Sequence, residues 1–274
     1  MNRMLAAWRG LTHRIDELWR RHLPAPLRLH LAQGWAWVKE PLIAVGIVLV
    51  ATSALARPYY VPSGSMEPTL QIGDAFLASK FTYGYSRYSL PFGFGPASEH
   101  RLFGQAPKRG DIIAFQLPAD PAKTLVKRLI GMPGDRLQMI GGRLWINGKP
   151  VELAAAGMGE VEDEMGGKMA VPRFVETLPG GVKHYILKWM DNGRFDDTEV
   201  FTVPANHYFM MGDDRDNSLD SRAAPADGGV GYVPFENLVG RAEFVLGSVD
   251  YKNASGVWAW PMHVRGARFL KSVR

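Results

Sequence analysis

The sequence predicts a mainly β protein that follows a single apolar helix. From residue 57 onward, short apolar segments alternate with turns, and no stretch keeps helical periodicity over three turns. The chain has 30 glycines and 19 prolines in 274 residues, which favours turns and strands over a helical bundle. The uncharged run 41–56 lies before this region. We therefore expect one N-terminal helix and then a β region that a polar insertion interrupts.

Composition and charge narrow the classes of protein. The chain is 46% hydrophobic and 22% charged, which is ordinary for a globular protein. It has no cysteine, which excludes a disulfide scaffold, a thiolate nucleophile and cysteine-ligated metal sites. The net charge of +5 fits either nucleic acid or an anionic membrane surface. Because much of the excess lies at the two ends, we expect membrane phospholipid as a partner and no nucleic acid.

Residues 1–40 form a basic segment with helical periodicity. Its apolar side chains recur at steps of three and four, which predicts an amphipathic helix lying against anionic headgroups. These side chains are Leu5, Trp8, Leu11, Ile15, Leu18 and Trp19. A surface helix that binds a partner protein has the same pattern, so both interpretations stay open.

The run 41–56 predicts a transmembrane anchor. Its 16 residues carry no charge and would rise about 24 Å as a helix, a little less than the roughly 30 Å of a hydrocarbon core. Basic residues crowd the upstream flank, which places the N-terminus in the cytoplasm and residue 57 onward outside it. A buried core helix and a cleaved signal peptide ending at Ala54-Leu55-Ala56 are the alternatives. The upstream segment is too long for a typical signal peptide, so we expect a retained single-pass anchor.

The region after residue 57 contains seven strand-like segments. Asn147-Gly148 predicts a tight hairpin turn after one of them. The strand-like segments are 75–78, 112–115, 125–126, 143–146, 184–187, 207–211 and 242–246. Residues 83–106 are expected to form a loop, and the polar stretch 152–200 an insertion. The tail 251–274 is basic and holds Trp258 and Trp260, so it either contacts headgroups or is a solvated end.

The stretch Pro62–Leu70 is the candidate for chemistry. Its two serines flank Gly64, so the backbone can turn and present a hydroxyl beside exposed N–H groups. Most Ser/Gly/Pro clusters are turns without chemistry, and a serine nucleophile needs a base within reach. Ser65 lies in no Gly-x-Ser-x-Gly elbow, and the residue three positions after it is Pro68 rather than lysine. Neither a histidine triad nor a Ser-x-x-Lys site is indicated.

Lys127 is the candidate base. A lysine can accept a proton only when it is neutral, and burial in an apolar site lowers its pKa by several units. Lys127 follows Thr124-Leu125-Val126 in a strand-like run, so an inward-facing side chain would lie among apolar neighbours. An exposed strand lysine is the commoner outcome for this composition, because lysine is rarely buried unpaired.

The acidic loop 212–222 is the third candidate. Its spacing suggests a calcium loop, but counted from Asp214 the sixth position is Leu219 and the twelfth is Pro225. A calcium-binding EF-hand needs glycine and glutamate there, so we expect no metal. A packed polar loop tied by Asp–Arg pairs is the other interpretation.

Four sequence motifs follow the apolar run. In chain order they are Pro62-Ser63-Gly64-Ser65-Met66-x-Pro68-Thr69-Leu70, Arg109-Gly110-Asp111-Ile112-Ile113-x-Phe115, Val126-Lys127-Arg128-Leu129-Ile130-Gly131-x-Pro133-Gly134-Asp135 and Gly212-Asp213-x-Arg215-Asp216-Asn217-Ser218-x-Asp220-Ser221-Arg222. In this order they resemble the motifs of the bacterial type I signal peptidases, also called leader peptidases. Each motif alone is moderate evidence, but four in sequence after an apolar run are specific. The resemblance spans about residues 57 to 245, with 136–206 variable.

The resemblance implies a role for each matching residue. Ser65 would be the nucleophile and Lys127 its neutral general base. The oxyanion would be held by the Ser63 hydroxyl and the Ser65 backbone N–H. Ser218 would orient the lysine amine, with Asp220 and Arg222 paired to hold the loop. Positions near the pockets for small substrate side chains match Tyr59, Val61, Pro62, Met66, Leu125 and Val126.

The resemblance also implies a fold, a substrate and a location. The expected fold is mainly β: an N-terminal transmembrane helix, then an antiparallel β catalytic core over 57–142 and 204–250, with an inserted smaller β domain at 143–203. The expected partners are preprotein signal peptides and membrane phospholipid, without a cofactor. The catalytic domain would lie on the extracytoplasmic (periplasmic) side of the cytoplasmic membrane.

Two positions depart from the common pattern of the resembled family, and two other functions stay open. Asp214 stands where many members have asparagine, and Glu67 where many have methionine or another residue. The alternatives are a membrane-tethered binding module without activity and a specialised peptidase of the same clan, such as one that processes pilins.

Overall fold

The structure, a computed structural model, describes residues 24–89, 101–162 and 166–273. The chain divides into two compact units, Met1–Ala51 and Thr52–Arg274. The amphipathic helix predicted around residues 5–19 and the middle of the predicted loop 83–106 lie outside the described residues.

Helix α1, Ala25–Ala54, dominates the first unit. It includes Pro41, and the charged pair Lys39 and Glu40 interrupts its apolar character midway. In the part of the chain that the structure describes, no helix combines the length and the apolar character that crossing a membrane requires. The predicted transmembrane anchor at 41–56 is therefore not found, although most of those residues are helical.

A seven-stranded sheet forms the centre of the second unit. Its strand order is β1-β2-β14-β3-β4-β12-β13, and every neighbouring pair is antiparallel. The strands are β1 Ala56–Tyr60, β2 Asp74–Ser79, β3 Ile112–Leu117, β4 Asp120–Gly131, β12 His207–Met211, β13 Tyr232–Pro234 and β14 Leu238–Ser248. The prediction of a mainly β, antiparallel fold is confirmed.

Two smaller antiparallel sheets are built from the chain between β4 and β12. One has four strands in the order β11-β5-β6-β7 and the other three in the order β10-β9-β8. Their bounds are β5 Arg136–Ile140, β6 Arg143–Ile146, β7 Lys149–Pro150, β8 Glu152–Glu162, β9 Lys168–Thr177, β10 Lys183–Leu187 and β11 Phe201–Thr202. Strands β6 to β11 fall where an inserted domain is predicted, whereas β5 lies before its predicted start at residue 143. Thr52–Arg274 is nevertheless one compact unit. The predicted domain boundaries stay a prediction.

All seven predicted strand segments lie within strands of the structure. The predicted hairpin also forms between β6 and β7: Asn147 has φ 53° and Gly148 φ 75°, the left-handed pair that a two-residue hairpin turn needs. The long strands β8 and β9 were not predicted from the polar stretch 152–200.

The C-terminal tail folds back onto the large sheet. Val273 joins the core cluster that also contains Val61 and Phe76, and the Arg268 guanidinium pairs with the buried Asp74 carboxylate. A merely solvated end is therefore excluded for these residues, while Trp258 keeps 94% of its surface exposed.

Candidate active site

Ser65 is presented by a short turn that apolar anchors hold in place. Residues Gly64–Met66 form one turn of 3₁₀ helix, closed by hydrogen bonds from Glu67 N–H to Gly64 O (2.8 Å) and from Leu70 N–H to Met66 O (2.9 Å). Met66 and Leu70 are fully buried, so their side chains fix the turn against the core. The Ser65 side chain therefore has a defined position in the segment between β1 and β2.

Lys127 reaches the serine from strand β4. Its side chain is buried, and its Nζ donates a hydrogen bond to Ser65 Oγ. Burial lowers the pKa of Lys127 from 10.5 to about 8; the Asp220 charge opposes this shift, and the Arg222 charge adds to it. The two side chains thus have the contact and the protonation behaviour that a nucleophile and its base require.

The loop that follows β12 closes the site from the other side. Its backbone is tied to the serine turn by a hydrogen bond from Asp214 N–H to Ser65 O (3.2 Å). The Arg222 guanidinium donates to both carboxylate oxygens of Asp220, each over 2.9 Å. Asp220 also accepts the Gly212 N–H over 2.9 Å. The expected Asp–Arg pair is therefore present within this loop.

Only glycine fits at position 212, because the backbone there lies very close to Ser218 and to the serine turn. A Cβ atom there would lie 2.3 Å from Ser218 Oγ and 2.5 Å from Ser65 O, distances that no side chain tolerates. Any larger residue would push the loop off the serine turn.

The hydrogen bond predicted for Ser218 is not formed among the described residues, and the one predicted for Ser63 is to a substrate oxyanion. Ser218 is buried in the loop beside the serine turn, but its Oγ makes no hydrogen bond, so the expected bond to the lysine amine is not formed. Ser63 lies just before the turn in extended conformation, with an exposed side chain beside the serine. Their orienting and oxyanion-binding roles stay predictions.

A second layer of buried ion pairs supports these elements. Arg128, next to Lys127, donates to both Asp213 carboxylate oxygens over 2.8 and 2.7 Å, and Asp213 also accepts from Thr69 Oγ1 over 2.5 Å. Burial disfavours the charge on Asp213, but the Arg128 charge outweighs it and lowers the pKa of that carboxyl. The pair joins β4, the serine turn and the acidic loop. Sequence reasoning placed these residues in motifs without assigning them this function.

A small cleft opens beside Ser65 and Lys127. It has a volume of about 70 Å³, and we call it the first cleft. Of the six predicted pocket residues, Tyr59, Val61, Pro62, Leu125 and Val126 line it. Met66 does not, because its side chain points into the core and is fully buried.

The first cleft has further walls that sequence reasoning missed. Tyr60, Phe76, Ala114 and Thr124 also line it. The signal that could have found two of them is cross-strand pairing: Phe76 is the partner of Tyr59, and Ala114 the partner of Val126.

Two buried carboxyl groups lie behind the serine turn. Burial raises the pKa of Glu67 to about 7 and that of Asp214 to about 6. Glu67 Oε2 accepts the Glu162 N–H over 3.2 Å, whereas Asp214 Oδ2 makes no hydrogen bond. These are the two positions that depart from the common motif pattern.

The fold and the site together define a class of protein. A buried serine hydroxyl in contact with a lysine of lowered pKa, at the mouth of a small apolar cleft on a β sheet, is the arrangement expected of a serine hydrolase. Within the described residues no cluster of metal-ligating side chains accompanies it.

Comparison with known proteins identifies the family. The model of the family described as "Signal peptidase, peptidase S26" matches residues 34–247. The signal peptidase I of Rickettsia typhi is 41% identical over 206 residues, covering 73% of this chain and 75% of the relative. That of Rickettsia canadensis is 38% identical over 221 residues, covering 78% and 79%. The chain belongs to the signal peptidase family, peptidase S26, and is a peptidase.

A solved structure gives a weaker likeness. The crystal structure of a signal peptidase I from Enterococcus faecalis V583 matches with a TM-score of 0.30 and 25% identity, over 50% of this chain and 97% of that one. The assignment to the family therefore rests on the sequence matches.

Proposed function

We propose that the chain removes N-terminal signal peptides from exported preproteins, with Ser65 as nucleophile and Lys127 as its neutral general base. The observation that carries this proposal is the hydrogen bond between Lys127 Nζ and Ser65 Oγ in a buried site. The lowered pKa of Lys127, about 8, makes the neutral amine accessible near neutral pH.

The proposed reaction has two steps. In the first, Lys127 takes the hydroxyl proton as Ser65 Oγ attacks the carbonyl carbon of the scissile bond. The tetrahedral oxyanion accepts hydrogen bonds from the Ser65 N–H and the Ser63 hydroxyl. The protonated lysine then gives its proton to the leaving amine as the C–N bond breaks, which leaves an acyl ester on Ser65.

The second step returns the enzyme to its starting state. A water molecule takes the place of the departed amine, and the neutral Lys127 removes its proton as the oxygen attacks the ester carbonyl. The ester bond breaks, Ser65 recovers its proton from the lysine, and the signal peptide leaves with a new carboxylate.

The size of the first cleft supports a preference for small side chains. Its volume of about 70 Å³ holds little more than one or two methyl-sized groups. An extended substrate segment between 59–63 and 124–127 would place the side chains before the scissile bond toward this cleft. We therefore propose cleavage after Ala-x-Ala sequences.

A phospholipid surface is the proposed setting, on the extracytoplasmic side where exported preproteins emerge. Helix α1 exposes Trp35 and Trp37, and the folded tail exposes Trp258, each with more than half of its surface accessible. Tryptophan at such positions is typical of membrane interfaces. Binding of the full chain to vesicles containing anionic lipid should weaken in a Trp258→Ser variant; unchanged binding would remove the tail from the proposal.

Two alanine variants test the catalytic assignment. Ser65→Ala and Lys127→Ala should each lose preprotein cleavage almost completely, because each removes one half of the nucleophile pair. Ser255→Ala, in an exposed loop, and Lys123→Ala, exposed on the same strand as Lys127, serve as matched controls and should retain activity. Near-normal cleavage by either test variant would overturn the assignment.

The same assay separates the rival functions. A binding module would leave every preprotein intact. A specialised peptidase that processes pilins would cleave its own substrates and leave ordinary exported preproteins uncut, so the range of substrates decides between the two enzymes.

A further inference from the structure

A second groove opens on the other side of the serine turn. It has a volume of about 520 Å³, much larger than the first cleft. Its lining includes Ser63 and Gly64 together with Ile72, Val161, Met169 and Trp189. We call it the second groove; its described residues all belong to the unit Thr52–Arg274.

The second groove continues the path of the first cleft. The first cleft is lined by two chain segments, 59–63 and 124–127, and both run in sequence order toward Ser65 and Lys127. The second groove shares Pro62 and Ser63 with it and proceeds past Gly64 to Asn217. Ser65 lines the first cleft, and its neighbour Gly64 lines the second groove. An extended peptide that passes Ser65 in the first cleft would therefore be directed toward the second groove.

Part of the wall of the second groove is apolar and held in place. Ile72 and Val161 are buried, and Trp189 is fixed by hydrogen bonds from its Nε1 to Asp214 Oδ1 (3.1 Å) and from its backbone N–H to Asp216 Oδ2 (2.7 Å). An aromatic ring set in this way is a preformed surface for another apolar side chain.

The charged groups beside the groove have partners within the protein. Glu162 pairs with Arg265 over 3.3 Å, and Lys168 lies 3.7 Å from Asp250. Within the described part of the chain, Glu162 Oε1 accepts no hydrogen bond, and Lys252 also lines the groove. The case for an apolar ligand therefore rests on the apolar side chains of the wall, above all the fixed ring of Trp189.

We propose that the second groove binds the first residues after the scissile bond and prefers an apolar or aromatic side chain among them. This inference rests on the proposed function, because it takes Ser65 as the point of attack. The enzyme would then recognise side chains on both sides of the scissile bond: small ones before the bond, and a larger apolar one after it.

Three substrates measure this preference. All share one Ala-x-Ala segment before the bond; the first continues with four residues that include phenylalanine, the second replaces that phenylalanine with glycine, and the third is a methyl ester with no residue after the bond. The unaltered full chain should cleave the phenylalanine peptide with a kcat/KM about tenfold above that of the glycine peptide, since an aromatic side chain buries substantial apolar area.

Two variants locate the preference. Trp189→Ala and Met169→Lys should reduce the phenylalanine-to-glycine ratio of kcat/KM toward one, mainly through KM. Met169 is half-exposed, so its replacement leaves the fold intact where Trp189→Ala could disturb it. Tyr185→Ala, which removes an exposed aromatic outside the groove, is the matched control and should keep the ratio.

The outcomes separate this inference from the function on which it rests. A ratio near one in the unaltered chain, or a ratio that both variants leave unchanged, overturns the second groove as the binding site while cleavage itself supports the proposed function. Failure of the unaltered chain to cleave any of the three substrates overturns the proposed function instead.

Discussion

The pKa of Lys127 should set the lower pH limit of cleavage. Burial lowers it from 10.5 to about 8. At pH 7 about one amine in ten is then neutral, against about one in three thousand for an unshifted lysine, a gain of about 300-fold or about 3 kcal/mol. Because only the neutral amine accepts the serine proton, kcat/KM should rise tenfold per pH unit below about 8 and level off above it.

Replacing Asp220 should move the lower pH limit of cleavage to a lower pH. Among the charges around Lys127, that of Asp220 does most to favour the ammonium form, and burial opposes it. In Asp220→Asn the opposing charge is gone, and the unpaired Arg222 acts in the same direction as burial. The pKa of Lys127 should fall by about one unit, which raises the neutral fraction at pH 7 from about one in ten to about one in two.

The assay is kcat/KM for a signal peptide substrate between pH 5 and pH 10. Asp220→Asn should move the acid limb to lower pH. This shift is expected even if the plateau value of kcat/KM drops because Gly212 and Arg222 lose an anionic partner. Asp216→Asn is the control: it alters a carboxylate of the same loop that is not among the main charges acting on Lys127. An acid limb that stays in place or moves upward in Asp220→Asn would refute the assignment of that limb to Lys127.

Three further predictions concern the surroundings of the pair. Burial raises the pKa of Glu67 from 4.5 to about 7, so the folded state resists ionisation of this carboxyl and the free energy of unfolding should fall by about 3 kcal/mol as pH rises through this window. In urea unfolding at pH 5 and pH 8, Glu67→Gln should abolish that fall. An unchanged fall in the variant would contradict the assignment to Glu67. Asp213→Asn leaves the buried Arg128 without its anionic partner and should cost about 3–5 kcal/mol of unfolding free energy, whereas a loss below 1 kcal/mol would show that the pair is dispensable. Val61→Ala enlarges the first cleft, so cleavage after valine relative to alanine should increase about tenfold; an unchanged ratio of kcat/KM would exclude that cleft as the specificity pocket.

Local sequence patterns predicted most of the large sheet. Segments such as 112–115 and 207–211 are short apolar runs bounded by turns. Strands that are buried in a sheet typically have this pattern, and both segments are largely buried. The turn Asn147-Gly148 was predictable because its two residues tolerate positive φ. Strands β8 and β9 were not predictable, because β8 is rich in alanine and glycine and β9 contains Pro172, residues with low strand propensity. Each of the two strands is formed by pairing with the other rather than by its local sequence.

The site was predictable as a set of residues but not as a geometry. The motifs identified Ser65 and Lys127, which are 62 positions apart. The register of β3 against β4 that brings the lysine inward is a tertiary property. The inward direction of Met66 and the unpaired hydroxyl of Ser218 depend in the same way on packing around the turn. The second groove draws its walls from the turn, β8, β9 and the acidic loop, so no single stretch of sequence contains it.

The most direct measurement of the central claim is the mass of the chain after reaction with a signal peptide methyl ester at pH 8, quenched in acid during the first turnover. We expect one acyl group, located on Ser65 by peptide mapping, and no acyl group at that position in Lys127→Met. An acyl group on another residue, or undiminished acylation of Ser65 without the lysine, would contradict it.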